Sequence, residues 1–108
     1  MVTVLAFVTI SENAPEALAA YFMATDPLLQ RAGARIVKRF SIKDVVVGSC
    51  PTRTVVIVEY PTREAVEMVF GSPEYAAIAK IRDRAFDTYA ITVVDDLSDV
   101  SATSVVTP

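Results

Sequence analysis

Apolar residues follow two different spacings along this chain, and the change from one to the other predicts its elements. Residues 3–10, TVLAFVTI, are apolar and rich in β-branched side chains, which is typical of a first strand. A helix is predicted next, capped by Ser11 or Asn13 and entered through Pro15. Its expected buried stripe recurs at spacings of four and seven: Leu18, Phe22 and Leu29.

Proline and glycine indicate where the first helix should be interrupted and where it should end, and two strands are predicted after it. Pro27 lacks an N–H group, so a kink or break is expected there, and Gly33 is expected to cap the helix C-terminus. Residues 34–42 and 53–60 have the apolar content of strands and predict an antiparallel hairpin. The intervening valines at 45–47 are expected to extend the second strand past a bulge or bend.

A second helical region follows the hairpin, and the sequence GSP at 71–73 interrupts it. Thr62 is the expected first cap, Gly71 a left-handed C-cap, and Ser72 the cap of a new helix that starts at Pro73. The new helix is expected to place four side chains on one face, since their spacings are three, four and four: Tyr75, Ile78, Arg82 and Phe86. Residues 88–94 predict the last strand.

This order of elements predicts an α+β fold, the ferredoxin-like βαββαβ sandwich with both helices on one face of a four-stranded antiparallel sheet. We assign residues 1–94 to one domain. Residues 95–108 form a C-terminal tail that is expected either to fray or to pack on a partner subunit.

Both faces of the predicted sheet are apolar, which an antiparallel sheet with one solvated face would not show. Strand one presents Val4, Ala6 and Val8 on one side, but Leu5 and Phe7 on the other. Because an exposed apolar face favours a partner, we expect a homodimer with its sheets packed face to face. A monomer whose tail covers the sheet is the alternative.

Composition and charge narrow the classes of partner. The net charge is −3 and the ten Lys and Arg residues are scattered, so nucleic acid is not expected to bind. The apolar start has no basic residue before Arg31 and no stretch is long enough to span a bilayer, so a cytoplasmic protein with no membrane contact is predicted. No His and one Cys, Cys50, are present, and we expect neither a metal nor a cofactor.

The stretch 55–85, VVIVEYPTREAVEMVFGSPEYAAIAKIRDRA, resembles the family called domain of unknown function 1330, in the dimeric α/β barrel superfamily. The matching positions are Glu59, Tyr60, Pro61, Glu64, Ala65, Ser72, Pro73, Glu74, Tyr75 and Arg82. A weaker match is RAGARIVKR at 31–39, and the chain departs from the family at Val47, where members commonly have Glu. The resemblance covers residues 2–94 and implies the ferredoxin-like fold and the dimer, but no activity.

Pockets in this superfamily usually lie between sheet and helices, so the resemblance implies ligand-binding candidates among the polar residues there: Arg39, Glu59, Tyr75 and Arg82. In one interpretation an Arg anchors a ligand carboxylate or enolate, Tyr75 donates a hydrogen bond, and Glu59 acts as acid or base. In the other, Arg82 and Glu59 form an ion pair that ties helix to sheet. We therefore expect a protein that binds a small organic ligand. A cofactor-independent isomerase, lyase or monooxygenase acting on a small organic acid or phenolic compound is the alternative, and no catalytic residue is assigned.

Overall fold

The chain forms one antiparallel sheet with helices on one face. The computed structural model describes residues 1–95, so all but the first residue of the predicted tail lies outside the described residues. In chain order the elements are β1 (Val2–Ile10), α1 (Pro15–Ala32), β2 (Arg35–Ser41), β3 (Thr54–Tyr60), α2 (Arg63–Phe70), α3 (Pro73–Ala76), α4 (Ala79–Ala85) and β4 (Phe86–Val94). The sheet order is β2-β3-β1-β4 with every neighbouring pair antiparallel, which confirms the predicted ferredoxin-like α+β fold.

The two faces of the sheet differ in burial. Val4 and Val8 of β1 face the helices and are buried, as are Val58 and Tyr60 of β3. The side chains that alternate with them form what we call the open face, and they are only partly buried in the single chain: Leu5, Phe7, Val55 and Ile57. The predicted division of β1 and β3 into two apolar faces is therefore confirmed.

A bulge in β2 changes which of its side chains face the helices. The register shifts between Ile36 and Lys38, so that Ile36 pairs with Val58 while Arg39 pairs with Val56. Simple alternation along β2 would place Lys38 on the same side of the sheet as Ile36, but one extra residue is inserted between them and Lys38 faces the other way. The strand ends at Ser41, so the valines at 45–47 do not extend it.

Helix α1 runs unbroken across Pro27, so the break that was one of the two predicted effects of this proline is absent. The buried stripe of α1 lies one residue earlier in the sequence than the predicted one. It consists of Ala17, Tyr21, Thr25, Leu28 and Ala32. Phe22 is 46% exposed as a result. The N-cap is Ala14 with no side-chain hydrogen bond, while Ser11 accepts from the N–H of Asn13 instead.

The predicted corner at GSP is present, but its details differ. Ser72 accepts a hydrogen bond from the N–H of Tyr75 at 3.0 Å, and Pro73 opens α3 as expected. Gly71 has φ −93°, so it is not a left-handed cap; a Cβ there would lie 2.9 Å from the carbonyl oxygen of Glu67. The predicted single helix is divided into α3 and α4, and Phe86 belongs to β4.

Replacing Gly33 by Ala should destabilise the fold. Gly33 has φ 74°, as its predicted cap role requires, and a Cβ there would lie 3.3 Å from Cγ of Pro61. We expect Gly33→Ala to lower the free energy of unfolding by about 1–2 kcal/mol, since left-handed backbone disfavours a side chain. Gly48→Ala is the matched control, because Gly48 has φ 83° and open space around it. Equal losses in urea denaturation would show that the Pro61 contact adds nothing.

Candidate functional site

A cavity of about 210 Å³ lies between α1, α2 and the helix-facing side of the sheet. Most of its wall is apolar and all four strands contribute to it, for example through Val4, Ala6, Ile36, Val58 and Ile91. Its charged lining residues are Asp26 of α1 and Arg39 of β2, and both are exposed. The interior is therefore uncharged, and the two charged groups lie where the cavity meets solvent.

Three tyrosine hydroxyl groups meet beside this cavity, and we call Tyr21, Tyr75 and Tyr89 the tyrosine cluster. The Oη atoms of Tyr21 and Tyr89 are 2.5 Å apart, and the Tyr75 hydroxyl also forms a short hydrogen bond with Tyr89. The Oη atoms of Tyr21 and Tyr75 are 3.3 Å apart. Since these residues belong to α1, α3 and β4, the cluster joins three elements that are distant in sequence.

Burial keeps Tyr21 and Tyr89 of the cluster in their neutral, protonated form. Desolvation is the main reason why the pKa of Tyr21 and the pKa of Tyr89 lie far above that of a free tyrosine. Burial, with a smaller contribution from Tyr75, also raises the pKa of Tyr60 to about 12. At neutral pH these hydroxyl groups are hydrogen-bond donors and acceptors, and they are not available as bases.

Arg82 stacks against the tyrosine cluster. Its guanidinium carbon lies 5.7 Å from the ring centroid of Tyr75 and 5.4 Å from that of Tyr89, within cation–π range. Hydrogen bonding to the Tyr75 side chain is the main reason why the pKa of Arg82 is raised, while partial burial opposes that rise. Its side chain is 28% exposed and its carboxylate contact is with the neighbouring Asp83, at 3.4 Å.

The four residues singled out in the sequence do not come together. Tyr75 and Arg82 are in contact, and Arg39 lines the cavity at its exposed side. Glu59 lies on the open face, where it forms an ion pair with Arg35. The predicted Arg82–Glu59 ion pair is therefore wrong, because β3 directs Glu59 away from the helices.

Sequence reasoning missed two of the three clustered tyrosines as polar site residues. Neither Tyr21 nor Tyr89 is among the four candidates named from the sequence. The alternation of Tyr89 and Ile91 with Thr88, Ala90 and Thr92 was an available signal, since it places Tyr89 on the apolar side of β4. The sequence pattern could not show that Tyr89 lies next to α1 and α3 in the folded chain.

Comparison with known families gives a clear assignment. The model of the family described as domain of unknown function (DUF1330) matches residues 3–97. The chain belongs to the DUF1330 family. This confirms the resemblance carried by residues 55–85. No curated protein matches the chain.

Solved structures resemble this DUF1330 chain in fold. A protein of unknown function from Rhodopseudomonas palustris superposes with a TM-score of 0.72 at 23% identity, over 89% of this chain and 82% of that one. A protein from Bacteroides fragilis, described as dimeric and ferredoxin-like, gives 0.52 at 14% identity over 88% and 95%. An antibiotic biosynthesis monooxygenase gives 0.55 at 17% identity over 89% and 98%. At these identities the likeness shows the fold alone.

The described residues include neither a membrane-spanning helix nor a metal-binding cluster. Within residues 1–95, no helix has the length and hydropathy required to cross a bilayer. The same residues contain no group of three or more Cys, Asp or Glu side chains that could hold a metal ion.

The raised tyrosine pKa values predict a characteristic alkaline titration. In the folded protein we expect Tyr21, Tyr60 and Tyr89 to stay protonated near pH 10, measured as tyrosinate absorbance at 295 nm. The same protein in guanidinium should titrate all four tyrosines there. Because the unfolded chain ionises first, the stability from these groups is complete below pH 10 and falls as pH rises above it. Four folded-state tyrosines titrating near pH 10 would contradict this.

Proposed function

We propose that this DUF1330 protein is a homodimer that binds a small, mainly apolar organic molecule in the cavity between α1 and the sheet. The cavity itself is the observation that carries the proposal. Protein interiors are normally packed without voids much larger than a water molecule. A 210 Å³ space with an apolar wall and a tyrosine cluster beside it has the form of a ligand pocket.

The size of this space can be compared with the stability of a domain. At about 24 cal/mol per Å³, an enclosed cavity of 210 Å³ would cost on the order of 5 kcal/mol. That is as large as the whole stability of many domains, roughly 5–15 kcal/mol. This cavity is open on one side, so the figure is an upper bound, and a bound molecule would recover part of the lost contact energy.

The four candidate residues named from the sequence have different roles in the proposed binding. Arg39, at the cavity opening, has no carboxylate within 4.0 Å among residues 1–95 and would contact any polar substituent of a ligand that reaches the opening. Tyr75 and Arg82 would act through Tyr89, which they touch. Glu59 has no part in this cavity, because it lies on the other side of the sheet.

The positions of the carboxylates favour binding over catalysis. Proton-transfer chemistry requires a base within hydrogen-bond reach of the substrate. Glu59, the acid or base considered from sequence, is on the open face. The carboxylate in the cavity wall is that of Asp26, which is exposed at the opening. The protonated tyrosines supply donors to a ligand and no base.

The open face is where a second copy of the chain would pack. Its central side chains are apolar and only half-buried in the single chain, and Phe40 at its edge is 44% exposed. A two-fold axis would bring the same surface of both copies together and bury this face. The fold likeness to a protein described as dimeric supports the assembly.

Filling the cavity should abolish binding of an apolar probe. Wild-type protein is expected to bind ethylbenzene saturably in an NMR titration, and Ala6→Leu should lose that binding because Ala6 lines the cavity. Ala76→Leu is the matched control, since Ala76 is exposed on α3 and outside the cavity wall. Native mass spectrometry of freshly purified protein would also report any molecule retained from the cell. Equal binding by wild type and Ala6→Leu would place the ligand elsewhere.

A charge on the open face should dissociate the dimer. Phe7→Asp is expected to convert wild-type dimers to monomers in sedimentation velocity, because the interface would then bury an unpaired carboxylate. Met23→Asp is the control, since Met23 is 78% exposed on α1, away from the sheet. A monomeric wild type, or a Phe7→Asp variant that stays dimeric, would contradict the proposed interface.

A further inference from the structure

The tyrosine cluster has more O–H protons than short hydrogen bonds. Three hydroxyl groups carry three protons, but only two Oη pairs are close, and Tyr89 belongs to both. The third pair, Tyr21 and Tyr75, is 3.3 Å apart, which exceeds the usual O–H···O range of about 2.5–3.0 Å. One of the three O–H protons, which we call the surplus proton, therefore has no short hydrogen bond within the cluster.

Arg82 determines which tyrosines can hold that surplus proton. A guanidinium group only donates hydrogen bonds, so Arg82, whose guanidinium carbon lies 5.7 Å from the Tyr75 ring centroid, could contact the Tyr75 hydroxyl only as a donor, which would leave Tyr75 as the acceptor. The Tyr75 proton is then directed into the short bond to Tyr89. Tyr21 and Tyr89 share the other short hydrogen bond, and either of them can be its donor. The one that accepts in this bond keeps its own O–H proton, which is the surplus proton.

Both of these tyrosines line the cavity, and Tyr75 does not. The other hydroxyl groups in the wall belong to Thr25, Thr54 and Tyr60, and that of Thr25 already donates to the Tyr21 carbonyl oxygen at 3.0 Å. A molecule in the cavity would thus meet neutral O–H donors in an uncharged interior, one of them supplied by the pair Tyr21 and Tyr89. An oxygen that accepts a hydrogen bond is the group that this surface can recognise.

The cavity volume limits the rest of the molecule. An engineered protein cavity of about 150 Å³ holds a benzene molecule. At 210 Å³ this cavity would hold one six-membered ring with a few substituent atoms. The charges of Asp26 and Arg39 are at the opening and have opposite sign, so the buried part of the molecule gains nothing from carrying a charge.

We propose that the cavity binds a neutral one-ring carbonyl compound, whose oxygen accepts a hydrogen bond from Tyr21 or Tyr89, and that Arg82 is a positioning residue that orients these hydroxyl groups. This inference rests on the proposed ligand-binding function and names its ligand class. Removing the Tyr75 interaction with Arg82 would let Tyr75 donate elsewhere, and the surplus proton would no longer be confined to the cavity side.

Acetophenone and ethylbenzene are matched probes, because they have almost the same shape and differ in the carbonyl oxygen. We expect acetophenone to bind roughly three- to tenfold more tightly, the ordinary gain from one hydrogen bond to a neutral group. Its carbonyl stretching band should move to lower wavenumber on binding, measured by isotope-edited infrared spectroscopy. Tyr21→Phe and Tyr89→Phe are expected to weaken acetophenone binding toward that of ethylbenzene, while ethylbenzene affinity changes little.

Arg82→Met tests the positioning role through the same band. The carbonyl shift should shrink while ethylbenzene affinity stays the same, an outcome that a purely structural role for Arg82 would not give. Near-UV circular dichroism would establish that each variant keeps its tertiary packing. An unchanged carbonyl shift in Arg82→Met would overturn the role of Arg82.

The possible failures are distinguishable. Equal affinities for acetophenone and ethylbenzene, with no carbonyl shift, would overturn the ligand class and leave the ligand-binding function standing. Tighter binding of benzoate than of acetophenone would also overturn it, because Arg39 would then govern recognition. If neither probe binds, both the ligand class and the proposed function fail.

Discussion

Three buried tyrosine hydroxyl groups must find hydrogen-bond partners away from water, and much of this structure depends on that requirement. A buried hydroxyl group without a partner costs about 1–3 kcal/mol. Here each of Tyr21, Tyr75 and Tyr89 has at least one of the others as a partner, which holds α1, α3 and β4 at fixed separations. Aromatic packing adds to this, since Phe86 contacts both Tyr21 and Tyr89 at ring distances of 5.0 and 5.2 Å. The corner at Ser72 is needed because it brings Tyr75 into the same cluster.

The cavity exists because the helices are held apart from a sheet whose facing side chains are small. Strand β1 is central in the sheet and presents Val4, Ala6 and Val8 to the helices, while the stripe of α1 directs Tyr21 toward β4. Larger side chains at the β1 positions would close the space. Stability and the proposed ligand binding thus depend on the same residues, because the hydroxyl cluster joins the elements and the space beside it is left open.

A single inserted residue decides the polar character of the cavity opening. The bulge in β2 places Arg39 on the helix-facing side and Lys38 on the open face, where its ammonium group lies 5.3 Å from the Phe40 ring centroid. Without the bulge these two cations would exchange faces. Strand β3 has no bulge, so strict alternation places Glu59 beside Arg35 on the open face and separates it from Arg82.

The sequence by itself determined the order of elements, the two apolar faces of β1 and β3, the caps at Gly33, Thr62 and Ser72, and the family. These features depend on local periodicity and on residues with strong conformational preferences, so they can be read without knowing the rest of the fold. Only the tertiary structure decided the bulge in β2, the buried stripe of α1, and the meeting of Tyr21, Tyr75 and Tyr89. These depend on contacts between residues as many as 68 positions apart, which no local pattern contains.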